Sequence, residues 1–458
     1  MEPRRFDQSS NRPGPRDGPA TGRAIVIEPH LRERTKAASR ASSGQRSPEA
    51  KLDEAVGLAH AIDLDVTSSG IVPLNQIRPA TFIGKGKVEE IAGVVQGEEA
   101  GIVVMDCALS PVQQRNLEKA WQAKVLDRTG LILEIFGRRA HTREGALQVE
   151  LAHLTYQKSR LVRSWTHLER QRGGFGFLGG PGETQLEADR RVIEERIGRI
   201  EVELEKVKRT RRLHRQSRKR VPYPIVALVG YTNAGKSTLF NRLTRATVLE
   251  ADMLFATLDP TLRAVALPHG AKIIASDTVG FISDLPTMLV AAFRATLEEV
   301  IEADVILHVR DVSHGDSHAQ ARDVEQVLRE LDIDPNDRER LVEVWNKIDL
   351  ISADRRAELV NLAQRRDARS RPVLVSAATG EGVDRLIETI EERVTARRVT
   401  LDLVLDPADG AGVSWLHRNT EVLAKTMRDD GRFAVQVRVD PAKLGLVNAK
   451  FREAAAAP

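Results

Sequence analysis

The stretch Ile225–Thr238, IVALVGYTNAGKST, decides how the chain reads. Ile225–Val229 is an apolar run of strand type, and Thr238–Leu243 reads as a helix. Between them Gly230, Tyr231, Thr232, Asn233, Ala234, Gly235, Lys236 and Ser237 fit G-x-x-x-x-G-K-[ST], in the strand–loop–helix context that the pattern requires. Glycines let backbone N–H groups turn toward phosphates, and a helix N-terminus attracts anions. Lys236 is placed to reach the β- and γ-phosphates, and the Ser237 hydroxyl to ligate Mg²⁺. An ordinary glycine-rich turn would not need the Gly-Lys-Ser ending together with both flanks.

Three later stretches select the nucleotide. Lys272–Ser276 is a strand leading into Asp277, Thr278, Val279 and Gly280, a D-x-x-G. Asp277 would hold Mg²⁺ through water, and the Gly280 N–H would sense the γ-phosphate. Leu341–Trp345 is a strand ending in Asn346, Lys347, Ile348 and Asp349, an N-K-x-D. The Asp349 carboxylate can accept from guanine N1 and N2, whereas adenine would leave it unpaired. Pro372–Val375 runs into Ser376, Ala377 and Ala378, whose N–H groups can meet guanine O6. Each match alone is weak. Four in this order, each after a strand, predict a P-loop GTPase domain over residues 222–395 that uses GTP, GDP and Mg²⁺. Ras-like enzymes orient water with a glutamine after D-x-x-G; this chain has Phe281, which cannot.

The 458 residues allow two to four domains, and the net charge of +4 permits nucleic-acid binding without requiring it. One cysteine, Cys107, excludes a disulfide framework and suits a reducing cytosol; its apolar neighbours make it a core residue. There is no secretory signal in the polar start and no apolar run of membrane length, so a cytoplasmic protein is expected. Residues 1–22 read as a disordered tail.

Residues 23–140 read as an N-terminal α/β subdomain. Strands are expected at 24–29, 80–83, 101–105 and 124–126, helices at 48–62, 88–95 and 111–122, and a loop at 30–47. Gly84-Lys85-Gly86-Lys87 suits an anion at a helix N-terminus, or equally a tight turn with solvated lysines.

Residues 141–220 change character. Leu147, Leu151, Leu154, Lys158, Leu161, Trp165 and Leu168 step by threes and fours, as do Leu186, Ile193, Ile197, Ile200, Leu204 and Val207. Two arms of roughly twenty-five residues, about 40 Å long, would form an antiparallel helical hairpin. Its glycine-rich tip, 173–182, carries Phe175, Phe177 and Leu178, apolar groups that imply a partner or fold back on the arms. The basic run 206–220 suits a phosphate backbone or a solvated face. Beyond 395, a small C-terminal unit over 398–455 reads as a strand at 400–405, a helix at 412–428, a strand at 433–439 and a last helix from 440. Trp415 reads as core and His417 as surface.

The stretches GGFGFLGGPGETQLE (173–187), GYTNAGKSTLFN (230–241), FATLDPT (255–261), DTVGFI (277–282), NKID (346–349) and SAATG (376–380) resemble the HflX family of ribosome-associated GTPases. The resemblance covers residues from about 23 to 395. It implies a monomeric factor that binds the large ribosomal subunit (50S), its hairpin reaching rRNA, and that splits or rescues stalled ribosomes under stress. The lack of a glutamine after D-x-x-G predicts slow intrinsic turnover, accelerated by large subunits. The resemblance also supplies a nucleotide contact from Phe255, Ala256, Thr257, Leu258 and Asp259, with Thr257 completing the Mg²⁺ shell beside Ser237 and Asp277; by residue type alone Thr261 serves equally. Catalysis would then rest on Lys236, Thr257 and Gly280. Asn233 stands where potassium-dependent relatives use asparagine, making K⁺ a candidate cofactor. The rival reading is a nucleotide-tuned rRNA-binding assembly factor or RNA chaperone. The expected architecture is α/β: a P-loop GTPase domain, an N-terminal α/β subdomain, the long antiparallel hairpin and a small C-terminal α/β domain.

Overall fold

The computed structural model of the chain describes residues 22–32, 46–171, 181–218, 223–244, 255, 261–268, 272–283, 297–396, 399–428, 430–439 and 444–451. They form two units: the described residues up to Lys206 with Phe255, and the remainder.

The first unit is built on a four-stranded sheet of β1 (Arg23–Leu31), β2 (Asp65–Leu74), β3 (Ile102–Met105) and β4 (Lys124–Asp127). Its order is β2-β1-β3-β4 and every pairing is parallel. Four helices belong to it: α1 (Pro48–His60), α2 (Lys85–Gly97), α3 (Pro111–Trp121) and α4 (Arg128–Arg139). Ser47 and Ser110 cap α1 and α3 with proline behind them, and Gln113 closes a capping box on Ser110. Ile25, Ile27, Val103 and Met105 of the sheet pack with Val88, Ile91, Leu117 and Trp121. Parallel sheets covered on both faces read as continuous apolar runs, which is how β1 and β3 are spelled.

The structure differs from the sequence expectation at β2 and at 80–83. Asp65–Leu74, with Gly70 and Pro73, lacks the look of a strand, yet it lies at the sheet edge, where proline is tolerated. Residues 80–83 form a turn instead, with an isolated bridge from Arg78 to Phe82 and Phe82 at φ +64°. Helix α4, absent from the expectation, is started by Asp127, whose Oδ1 accepts from the Gly130 N–H at 2.8 Å. Lys85 and Lys87 pair along their own helix with Glu89 and Glu90, the arrangement of a turn with solvated lysines.

Two long helices follow, α5 (Arg143–Gln171) and α6 (Pro181–Arg218). Ion pairs Arg143–Glu203, Arg196–Glu150 and Lys158–Glu194 run in opposite senses along the two, so the hairpin is antiparallel. Leu147, Ile200 and Leu204 bury the seam at its base, while Val192 and Val202 stay exposed. The first arm is also tied to the sheet: the Tyr156 hydroxyl and Arg160 both donate to Asp127. Helix α6 begins at Pro181, inside the expected tip 173–182, and Phe175, Phe177 and Leu178 lie outside the described residues.

The second unit carries a six-stranded sheet of β5 (Ile225–Gly230), β6 (Thr261–Ala266), β7 (Lys272–Asp277), β8 (Val305–Asp311), β9 (Leu341–Asn346) and β10 (Val373–Leu374). Its order is β10-β9-β8-β5-β7-β6, parallel except for β6 on β7. Helices α7 (Lys236–Thr244), α8 (Glu298–Ile301), α9 (Ser317–Glu330), α10 (Ala353–Gln364) and α11 (Val383–Ala396) connect it. A three-stranded antiparallel sheet follows, β11 (Val399–Leu405), β12 (Glu421–Met427) and β13 (Phe433–Val439) in the order β11-β13-β12, with α12 (Gly410–Asn419) and α13 (Leu444–Phe451). The expected helix over 412–428 is therefore two elements. Thr420 is extended, and EVLAKTM pairs with β13. Trp415 packs against Phe451 with ring centroids 5.7 Å apart, and His417 is exposed. Among the described residues no helix is long and apolar enough to cross a membrane.

Candidate guanine-nucleotide site

The site lies at the C-terminal ends of β5, β7 and β9, where open parallel sheets place their ligands. Strand β5 is central, paired with β7 and β8, and its sequel 230–237 turns into α7. Gly235 takes φ +86°, and a Cβ there would stand 2.3 Å from Asn346 Nδ2, so only glycine fits. Asn233 is exposed at φ +58°. Lys236 is buried, its Nζ donating to the Gly230 and Tyr231 carbonyls at 3.1 and 2.8 Å. Burial pushes its ammonium down to about 8 against the pull of Asp277.

Ser237 and Asp277 converge, the Ser237 hydroxyl donating to Asp277 Oδ2 at 2.7 Å. Asp277 ends β7 fully buried, and Thr278 donates its hydroxyl to the Leu228 carbonyl at 2.5 Å. Val279 is buried beside them. Gly280 stands close to the phosphate loop: a Cβ there would lie 2.9 Å from Thr232 Cγ2 and 3.0 Å from Lys236 Nζ. Phe281 is 1 % exposed and bridges to the loop by its backbone, donating to the Gly230 carbonyl and accepting from the Thr232 N–H. Its side chain is thus in the core. Of the stretch 255–259, Phe255 alone is described; it is buried at φ +57°, its ring edge-on to Phe136 at 4.8 Å. Ala256, Thr257, Leu258 and Asp259 lie outside the described residues. Thr261, the other candidate hydroxyl, is the register partner of Asp277 across β6 and β7.

Asn346 joins three motifs. Its Nδ2 donates to the Ala234 carbonyl at 2.8 Å, and its Oδ1 accepts from the Ala377 N–H at 2.9 Å. Lys347, at φ +65°, pairs with Asp311 at 2.7 Å. Ile348 is buried, and Asp349 projects into solvent from a 3₁₀ turn. The Ser376 hydroxyl accepts from the Thr379 N–H and shapes the loop carrying Ala377 and Ala378. Two partners escaped the sequence reading. Arg242 of α7 donates to the carbonyls of Ala377 and Ala378, and the Tyr231 hydroxyl accepts from the Ser283 N–H at 2.9 Å. The phase of Arg242 on the helix was the only sequence signal for the first; the second had none.

Family models match four consecutive parts: a GTP-binding GTPase N-terminal region over 49–137, a GTP-binding GTPase middle region over 139–218, a 50S ribosome-binding GTPase over 225–347 and an HflX C-terminal domain over 361–452. The GTPase HflX of Magnetococcus marinus is 51 % identical over 86 % of this chain and 89 % of its own length. The chain belongs to the HflX family. It is a GTPase with a guanine-nucleotide-binding P-loop domain. The GTPase HflX of Escherichia coli (strain K12) is 46 % identical over 82 % of this chain and 88 % of its own length. A solved complex of SsGBP with GDP covers 81 % of this chain and 98 % of its own, at 24 % identity and a TM-score of 0.46.

Proposed function

We propose that this chain binds the large ribosomal subunit in its GTP form and uses hydrolysis to time its release, splitting or rescuing stalled ribosomes in the cytoplasm. The single observation that carries the nucleotide half is Asn346, which ties the P-loop at Ala234 to the loop at Ala377 and so holds the guanine reader against the phosphate cradle. The ribosomal half draws support from the match of 225–347 to a 50S ribosome-binding GTPase model and from the antiparallel hairpin. A hairpin of this length suits insertion into rRNA, with its glycine-rich tip against unstacked bases.

Ser237 and Asp277 fit Mg²⁺, being hard oxygen donors already converged at 2.7 Å. With Thr257 or Thr261 they would hold the ion, which neutralises charge between the β- and γ-phosphates. Lys236 would stabilise the transferring phosphoryl group, and Gly280 would read it through its N–H. Asp349 is the guanine reader: Asp349→Asn should lose its preference for GTP and gain xanthosine triphosphate, and unchanged GTP affinity in competition would refute the assignment. Because Phe281 is buried, the water must be positioned by another group.

The deciding experiment is GTP hydrolysis with and without 50S subunits, at matched salt, in potassium and in sodium. Large stimulation is expected. Bound GTP without stimulation would favour a nucleotide-tuned rRNA-binding protein. Equal rates in K⁺ and Na⁺ would remove potassium, and with it Asn233 as its ligand.

A further inference from the structure

Arg242 is exposed on α7 between buried Phe240 and Leu243, yet its guanidinium is committed to the loop that follows β10. Its Nε donates to the Ala377 carbonyl at 3.1 Å, and its Nη2 donates to the Ala378 carbonyl. A planar fork suits two neighbouring carbonyls, and a charged donor makes the stronger kind of hydrogen bond. Gly380 lets the loop close over the fork: it sits at φ +93°, and a Cβ there would stand 3.2 Å from Arg242 Nη1.

A trans peptide is planar, with its carbonyl and its N–H pointing in opposite directions. Holding the Ala377 carbonyl at Arg242 therefore turns the Ala378 N–H away from Arg242. The other N–H groups of the loop are engaged. Ser376 donates to the Glu381 carbonyl, Ala377 to Asn346 Oδ1, Thr379 to the Ser376 hydroxyl and Gly380 to the Ser376 carbonyl. The Ala378 N–H has no such bond among the described residues, and Ala378 is exposed. The bond from Ala377 to Asn346 sets this loop against the N-K-x-D that carries Asp349.

We infer that Arg242 is a positioning residue for base specificity: by drawing back the carbonyls of Ala377 and Ala378 it presents the Ala378 N–H to guanine O6. It acts through the loop and not by contact with the nucleotide. A loop free to turn a carbonyl toward the base would set acceptor against acceptor at O6, and would suit the 6-amino group of adenine instead.

The inference rests on the guanine-reader assignment, and the test separates the two. Arg242→Met keeps the aliphatic stem and removes the donors. Affinities are measured by displacement of a fluorescent nucleotide for GDP, for inosine diphosphate, which keeps O6, and for 2-aminopurine riboside diphosphate, which keeps the N2 amine and lacks O6. Arg242→Met should lose about tenfold for GDP and for inosine diphosphate, and hold the 2-aminopurine nucleotide within about twofold. Amide exchange at Thr379 and Gly380 should quicken, with β5 unchanged. Arg242→Lys retains a charged donor and should lose less than the methionine variant. Equal losses for all three nucleotides would overturn the inference, because the loop would then matter to the fold and not to O6. So would an unchanged affinity for GDP. Failure of the unmodified chain to prefer GDP over the 2-aminopurine nucleotide would take down the guanine-reader assignment itself.

Discussion

The two parallel sheets of this protein put polar residues at the same place and use them in opposite ways. At the C-terminal ends of β1 and β3, Glu28 hydrogen-bonds Asp106; Asp106 and Glu54 share Arg128, and Glu54 also holds Arg46. Those side chains are all buried and are joined by the ion pairs Arg46–Glu54, Arg128–Glu54 and Arg128–Asp106, while Glu28 Oε2 has no hydrogen-bond partner among the described residues. At the corresponding ends of β5, β7 and β9 the chain supplies glycines, backbone N–H groups, one buried lysine and an exposed Asp349. Both lie where the strand order reverses, the position that favours ligands in open α/β sheets. Topology therefore offers the location twice. Side-chain chemistry closes one with ion pairs and equips the other for a phosphate.

The comparison breaks first at Arg128. Arg128→Met would leave Asp106 and Glu54 buried without their shared cation, and should cost about 3–5 kcal/mol in the first unit. Hydrogen exchange should accelerate in β1 and β3, with GDP affinity in the second unit held. Unchanged exchange in β1 would show that the ion pairs are not what closes that end.

The next test is pH, because the two sheets should respond with opposite sign. Burial, helped by Asp106, lifts Glu28 to about 8, above its usual 4.5. A carboxyl raised on folding stabilises fully below 4.5, and that stability is lost as pH climbs through 8. Burial holds His308 of β8, flanked by Glu343, Arg310 and Lys236, down at about 4 rather than 6.5. A histidine kept neutral by folding stabilises above 6.5, and about 3 kcal/mol is lost as pH falls through 4. Exchange protection should therefore fall in β1 on raising pH and in β8 on lowering it. Glu28→Gln and His308→Phe should each flatten the response of their own sheet. Parallel responses in both would sink the assignment.

The smallest effect sharpens the phosphate side. Gly235→Ala sets a Cβ against Asn346 at a strained φ, and should weaken GDP about a hundredfold, about 2.7 kcal/mol. Protection in β1 should not change. A variant that binds GDP normally would mean that the loop and Asn346 can part without loss.

Much of this was legible in the chain. The order of GYTNAGKS, DTVG, NKID and SAA specified a guanine-nucleotide domain, because each motif is a contiguous spelling of one loop after one strand. The caps at Ser47 and Ser110 are equally local, although the sequence reading placed their helices without naming them. The misses have different causes. Asp65–Leu74 is a strand because of a partner distant in sequence, β1, whereas Glu421–Met427 pairs with the next strand, β13, and was read as a continuation of the helix before it. Arg242 reaches Ala377 across 135 positions, and Tyr231 reaches Ser283 across 52.

By itself the sequence determined the nucleotide, the strand–loop–helix units and the antiparallel hairpin, since these depend on residue identity and spacing within a few turns of chain. Only the tertiary structure decided that Asn346 joins two loops, that Phe281 turns inward and holds Thr232 by its carbonyl, and that the ends of β1 and β3 are sealed by Arg128. Those outcomes rest on which side chains meet across the sheets. Burial then makes each meeting costly to leave unpaired, and that cost is invisible to a reading confined to neighbours along the chain.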